Sequence, residues 1–203
     1  MTSSQPSESN YPNWFNIAAK GYFAEYLEEF KGKPNLHFLQ IGVYTGDASL
    51  WLMQNIVTDK SSILTDVDTW QGSDEEIHHE MDFSDVERVY DEKLKEFSNV
   101  IKCKMESHKF LATTDDKEIY DFIYIDGDHT AQAVFIDASL AWKALKPGGI
   151  MAFDDYLWEL DAPINLRPQA AIDLFIILMK DHLTLIGTGS QIWIRKRKEL
   201  ETS

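Results

Sequence analysis

Basic residues are scarce in this chain. Nineteen lysines and arginines stand against thirty-four aspartates and glutamates, giving a formal net charge of −15 and a sequence pI near 4.7. A surface this acidic repels phosphate backbones and anionic lipid, so nucleic-acid and membrane binding are excluded as expected roles. The one basic cluster, RKRKE at 195–199, reads as a solvated chain end. Cysteine is nearly absent too. With Cys103 alone, neither an intramolecular disulfide nor a multi-cysteine zinc site is available. Its place in the strand-like run NVIKCKM makes it a small core residue rather than a nucleophile. No apolar run approaches the ~20 residues that span a bilayer, and no basic-then-apolar leader opens the sequence. A cytoplasmic location is the default expectation. Internal repeats and low-complexity segments are also missing.

What is present is alternation. LHFLQIG (36–42), SSILTDVD (61–68), VIKCKM (100–105), DFIYID (121–126) and IMAFDD (150–155) are short apolar runs of the kind that form buried strands. Between them lie segments with apolar residues at helical spacing. GDASLWLMQNIV follows the first strand, a helix over 83–99 with Ser84 as its cap follows the second, and a short helix is expected after Ser107. AQAVFIDASLAWKALKPGG ends at the Pro147-Gly148-Gly149 breaker, and RPQAAIDLFIILMK (167–180) is a strongly apolar helix. LTLIGTGSQIWIRK (183–196) predicts a hairpin turning around Gly187-Thr188-Gly189. The expected fold is therefore α/β, a doubly wound, mostly parallel Rossmann-like sheet with a C-terminal antiparallel hairpin. Residues 1–12 read as a flexible polar lead-in and 13–203 as a single domain. Within it, 13–35 form a helical cap whose Trp14, Phe15, Tyr22, Phe23 and Tyr26 pack on the sheet edge or line a pocket.

Ligands in such sheets bind beyond the carboxyl ends of the strands, near the switch in strand order. That rule selects Gly42–Gly46, Asp66–Trp70, Glu106–His108, Asp126–His129 and Asp154–Asp155, each at a strand's C-terminal end. Gly42 and Gly46, in QIGVYTGDAS, permit either a plain strand–helix turn or a ligand's approach to a helix N-terminus. Asp66 and Asp68 end the second strand, where a carboxylate either accepts ribose hydroxyls or caps a turn. Asp126, Asp154 and Asp155 sit at the tips of the fourth and fifth strands. Either they are turn aspartates that face solvent separately or, on neighbouring strands, their carboxylates converge within reach of one hard divalent cation, Mg²⁺ or Mn²⁺. His129, three residues past Asp126, is either a solvated loop residue or a base able to take a proton near neutral pH. His78 and His79, in SDEEIHHEMD (73–82), are read as parts of a solvated loop or lid.

The run YDFIYIDGDHTAQAVFIDASLAWKALKPGGIMAFDDY, with LQIGVYTGDASLWL and TDVDTWQG before it, resembles the class I S-adenosylmethionine-dependent methyltransferases. Within them it is most similar to the metal-dependent O-methyltransferases of the macrocin and mycinamicin type, relatives of the catechol and caffeoyl-CoA O-methyltransferases. The resemblance spans about residues 36–195. It implies S-adenosylmethionine and Mg²⁺ (or Mn²⁺) as cofactors, a small-molecule hydroxyl as acceptor and, as an option, a homo-oligomer. By position it implies Asp126, Asp154 and Asp155 as metal ligands, with Asp126 and His129 as the catalytic pair and His129 as the base. It puts Gly42, Tyr44 and Gly46 at the methionine-side loop, Asp68 on the ribose, and Ser107 and His108 beside the adenine. Asp126 borders the cofactor as well. Two departures stand out: Gln40 replaces an acid, and Ala48 replaces a hydroxyl residue that Ser49 next door could supply. The alternatives are a binding module on this fold that has lost methyl transfer, and a nicotinamide-dependent oxidoreductase.

Overall fold

The computed structural model describes residues 11–73, 81–114 and 117–198. Among them seven strands make one sheet. β1 (His37–Ile41), β2 (Ile63–Asp68), β3 (Val100–Lys104), β4 (Tyr120–Ile125) and β5 (Leu145–Phe153) are parallel. β6 (Leu183–Thr188) and β7 (Ile192–Lys196) form the expected antiparallel hairpin, and β7 rather than β6 pairs with β5. The order β3-β2-β1-β4-β5-β7-β6 reverses between β1 and β4, which places the switch point, and the crevice it opens, between those two strands.

The strands are apolar on both faces because both faces are covered. Phe38, Leu64, Phe122, Ile150 and Trp193 point to one side, where α1 (Lys20–Tyr26), α2 (Asp47–Asn55) and α3 (Phe83–Leu94) pack. Leu39, Ile41, Ile123, Met151 and Ile194 point to the other, under α4 (Ser107–Thr113), α5 (Ala131–Ala144) and α6 (Gln169–Met179). The doubly wound architecture follows directly.

Several local expectations are corrected. Phe23 of α1 meets the rings of Phe122, Tyr124 and Trp193 edge-on, at 5.6, 4.9 and 5.4 Å, so the N-terminal segment covers the sheet face and not its edge. Tyr11, placed in the lead-in by sequence, is anchored: its hydroxyl donates to Asp85 at 3.0 Å and its ring meets Tyr44 edge-on. Residues 1–10 of that lead-in, and 74–80 of the proposed lid with His78 and His79, lie outside the described residues. α3 is capped by Asp82, whose carboxylate accepts from the Ser84 and Asp85 amides, and it ends at Leu94 instead of 99. α5 ends at Ala144, before the Pro-Gly-Gly breaker, which lies inside the early part of β5. Arg195 and Lys196 are structural members of β7. Arg195 pairs with Glu29, and Lys196 donates to the Trp142 and Leu145 carbonyls. Cys103 is half-buried on β3, and burial pushes its thiol up, away from reactivity.

Candidate active site at the strand tips

Three loops meet at the switch point because the backbone ladder continues one residue past each strand. Gly42 donates its amide to Val67, Asp126 to Ile41 and Asp154 to Ile125, at 3.0, 2.8 and 3.0 Å. Each of these residues is thereby pinned to the last or next-to-last carbonyl of the neighbouring strand. Gly42 is there for the sake of this junction. At φ +78°, a Cβ on it would lie 1.9 Å from the Asp126 carbonyl oxygen, so only glycine lets the β1 and β4 loops touch. Beyond them opens a cleft of ≈ 630 Å³. Tyr44, Trp70 and Asp155 line it with positive φ values of 52°, 47° and 55°. Non-glycine residues held in that region concentrate at functional sites.

On one side of the cleft the tips of β4 and β5 bring together Asp126, His129 and Asp155. His129 Nε2 lies 3.1 Å from Asp155 Oδ2 and 3.9 Å from Asp126 Oδ1, and one potential ligand atom from each residue falls within 4.8 Å of the others. The His129 ring also packs against Trp158, centroid to centroid 4.9 Å. The turn that carries His129 is built locally. Asp128 accepts from the Thr130 amide, and Thr130 caps α5 by accepting from Ala133. Burial and the neighbouring Asp154 and Asp155 charges hold the Asp126 carboxyl well above the usual carboxylate range, and burial with the Asp155 charge raises Asp154.

Asp154 lines the cleft but is engaged differently from its neighbours. One oxygen accepts from the Tyr124 hydroxyl and the other from the Asp155 amide. Tyr124 in turn accepts from Gln191, which accepts from the Trp193 indole. This buried chain fixes Asp154 from beneath, so the group of side chains open to one another contains His129 in its stead.

On the β1–β2 side, side chains divide between the cleft and the interior. Asp68 lines the cleft with its carboxylate already accepting three amides: Val43 and Tyr44 on one oxygen, at 2.7 and 3.0 Å, and Trp70 on the other, at 2.7 Å. Gly42, Tyr44, Ser107 and His108 line the cleft as well. Gln40, Gly46 and Ser49 do not. Gln40 is 1% exposed and donates from Nε2 to Ser49 and to Asp66, whose other oxygen accepts from Tyr90. Burial raises the Asp66 carboxyl to about 6. Gly46, at φ +76°, leaves room for the Tyr90 ring, 2.7 Å from where its Cβ would sit. Ser107 lies 2.8 Å from both oxygens of Asp137 and donates to that buried carboxylate, tying α4 to α5. Asp137, Tyr124, Gln191 and Trp158 were missed by sequence reasoning. Only Asp137 carried a signal, an acid amid the apolar positions of a helix.

A family model for a methyltransferase domain matches residues 39–156. The chain belongs to the methyltransferase-domain family. The matched span runs from within β1 to just past β5 and contains the cleft lining except Trp14, Phe15, Ala18 and Trp158. One relative of this methyltransferase domain is the tapetum-specific methyltransferase 1 of Arabidopsis thaliana, 31% identical over 94 residues. That match covers 40% of this chain and 40% of the relative, so the chain spans well under half of that protein. Two solved structures share the fold. The O-methyltransferase TomG of Streptomyces achromogenes, involved in tomaymycin synthesis and solved with SAM, superposes with a TM-score of 0.60 at 15% identity, over 80% of this chain and 73% of that one. The O-methyltransferase of Bacillus cereus, solved with SAH, gives 0.56 at 19% identity, over 80% and 74%. Among the described residues of this methyltransferase domain, no helix is long and apolar enough to cross a membrane.

Proposed function

We propose that this methyltransferase domain transfers the methyl group of S-adenosylmethionine to a hydroxyl of a small molecule, with a divalent cation. The observation that carries the reading is the convergence of Asp126, His129 and Asp155 on the floor of the switch-point cleft. Family membership and the cofactor-bound relatives support the methyl donor, and Asp68 with the β1 loop supplies the polar wall such a donor needs.

The donor set suits a hard cation. Among the described residues, carboxylate oxygens crowd together without a lysine or arginine in the lining, and burial with their mutual repulsion raises Asp126 and Asp154. Asp126 and Asp155, with Asp154 beside them, would hold Mg²⁺ or Mn²⁺. Bound there, the cation would make an acceptor hydroxyl more acidic. His129 Nε2 is placed to take the hydroxyl proton, and Asp155 at 3.1 Å is placed to stabilise the resulting imidazolium. S-adenosylmethionine, when bound, would supply a sulfonium methyl group to the freed oxygen, a new O–C bond replacing the S–C bond and leaving neutral S-adenosylhomocysteine. Asp68 and the loop amides orient the donor, and such positioning is a large part of the acceleration available.

The test is methyl transfer to a panel of catechols and sugars, before and after exhaustive chelation. Transfer should vanish with EDTA and return with Mg²⁺ or Mn²⁺, and Asp126→Ala should lose both metal binding and turnover. Transfer that persists through chelation would assign the carboxylates to another task. An absence of S-adenosylhomocysteine binding would remove the donor itself.

A further inference from the structure

The lining of the cleft has no lysine and no arginine among the described residues, while it holds seven carboxylates. Two of those are neutralised from outside: Asp47 by Lys93 at 2.7 Å and Glu106 by Lys109 at 2.8 Å. Five remain without a basic partner from lysine or arginine: Asp68, Asp126, Asp128, Asp154 and Asp155. Resting on the reading above, a loaded site would add two positive charges from the cation and one net positive charge from the sulfonium donor. Even with His129 protonated, negative charge is in excess. Asp128 is the neighbour of His129 in the chain. It is exposed at the cleft, two residues past Asp126, and has no ion pair among the described residues. One of its oxygens accepts from the Thr130 amide. The cleft also carries uncharged aromatic faces, from Trp158 against His129 and from Trp14 and Phe15 of the N-terminal segment elsewhere in the lining. Aromatic faces attract cations and tolerate neutral rings, and they offer nothing to an anion.

We propose that the acceptor site selects on charge. It takes neutral or cationic hydroxyl compounds and rejects anionic ones such as carboxylates, phosphates and acyl thioesters of anionic carriers, with Asp128 setting the preference. A like charge at a partly exposed site is discriminated by roughly a factor of three to ten per carboxylate, and the discrimination weakens as salt screens it.

Three acceptors with one head group and different charge test this: 4-methylcatechol, dopamine and 3,4-dihydroxybenzoate. Each is measured by kcat/KM and, independently of turnover, by quenching of tryptophan fluorescence with S-adenosylhomocysteine and Mg²⁺ present. The benzoate should fall at least about tenfold below the other two. Asp128→Asn, which keeps an oxygen for the Thr130 amide, should narrow that gap by about three- to tenfold and leave S-adenosylhomocysteine binding unchanged. Raising the salt should narrow the wild-type gap in the same direction. Equal binding of all three acceptors would overturn the proposal, as would a gap that Asp128→Asn leaves intact. If none of the three binds while S-adenosylhomocysteine does, the acceptor proposal falls and the methyl-donor reading stands. If S-adenosylhomocysteine fails to bind, the reading beneath the proposal is what has failed.

Discussion

On the β1–β2 side of the cleft, several side chains that motif logic assigns to the cofactor face inward. Gln40 and Ser49 are sealed with Asp66 and Tyr90 in a hydrogen-bonded cluster, and Gly46 gives its space to Tyr90. What this side shows the cleft is backbone shaped by Asp68. On the β4–β5 side the reverse holds. Asp126, His129 and Asp155 turn their functional atoms toward one another in open space, and the structural work falls to Thr130, Tyr124 and Gln191 behind them. Recognition built from backbone leaves a faint mark in side-chain identity, whereas chemistry built from side chains leaves a clear one. Substitutions on the first side should therefore read mainly as stability, and on the second mainly as turnover.

The sharpest break between the sides is expected at His129. His129→Ala should leave S-adenosylhomocysteine and Mg²⁺ affinity near wild type and lower turnover by ~10²–10⁴-fold, the usual contribution of a general base. The deficit should shrink at high pH, where the acceptor hydroxyl ionises unaided. Wild-type turnover across the neutral range would return His129 to the role of a loop residue.

Asp66 gives the largest effect on the other side, and it is an effect on folding. Burial raises its carboxyl from 3.8 to about 6. A carboxyl raised in the folded state favours folding while it is neutral. That contribution is fully present below the unfolded value near 4 and is lost as pH rises through about 6. Between pH 4 and 7.5 the loss is on the order of 2–3 kcal/mol. Asp66→Asn, neutral throughout, should escape it. Urea midpoints at the two ends of that range should diverge from wild type at the alkaline end. Parallel curves would mean that Asp66 does not ionise within the core. Asp137, also raised to about 6 by burial, remains in the variant, so the pH dependence should flatten and not disappear.

Asp68 stands between the two behaviours. Its carboxylate holds the loop through three amides and still faces the cleft. Asp68→Ala should weaken S-adenosylhomocysteine binding by about 1.5–3 kcal/mol, the range for hydrogen bonds to a charged group. An unchanged calorimetric titration in a folded variant would leave the loop amides as the whole of its role.

Periodicity made the sheet legible. Five apolar runs and the hairpin were readable because buried parallel strands must be apolar on both faces. The meeting of Asp126, Asp155 and His129 was readable because all three lie at or just past the carboxyl ends of strands, where such a sheet opens its crevice. Strand order was not in the pattern, nor was Asp154's tether to Tyr124 and Gln191, which depends on residues 30 and more positions apart. The cap at Asp82 in place of Ser84 shows the usual ambiguity of adjacent capping residues, settled here by which oxygen reaches two amides.

The smallest effect on cofactor binding is expected at Gln40. The resemblance to S-adenosylmethionine enzymes puts an acid at this position, beside the donor's ammonium group. In this chain the side chain is buried, points to Ser49 and Asp66, and is absent from the cleft lining. Gln40→Met keeps the shape roughly and removes the donor that Asp66 accepts from. Leaving a buried acceptor short of a partner costs about 1–3 kcal/mol, so the urea midpoint should fall. S-adenosylhomocysteine affinity, measured well below that midpoint, should stay within about twofold, the scale of a substitution that touches nothing in the site. Gln40→Glu sharpens the point. It places a second carboxylate against Asp66 in a buried cluster, so the variant should lose stability as pH rises toward neutrality and should bind the cofactor no more tightly. A clear gain in affinity from Gln40→Glu would show that the inward cluster opens when the donor binds. The contrast between the two sides of the cleft would then be a property of the free protein alone.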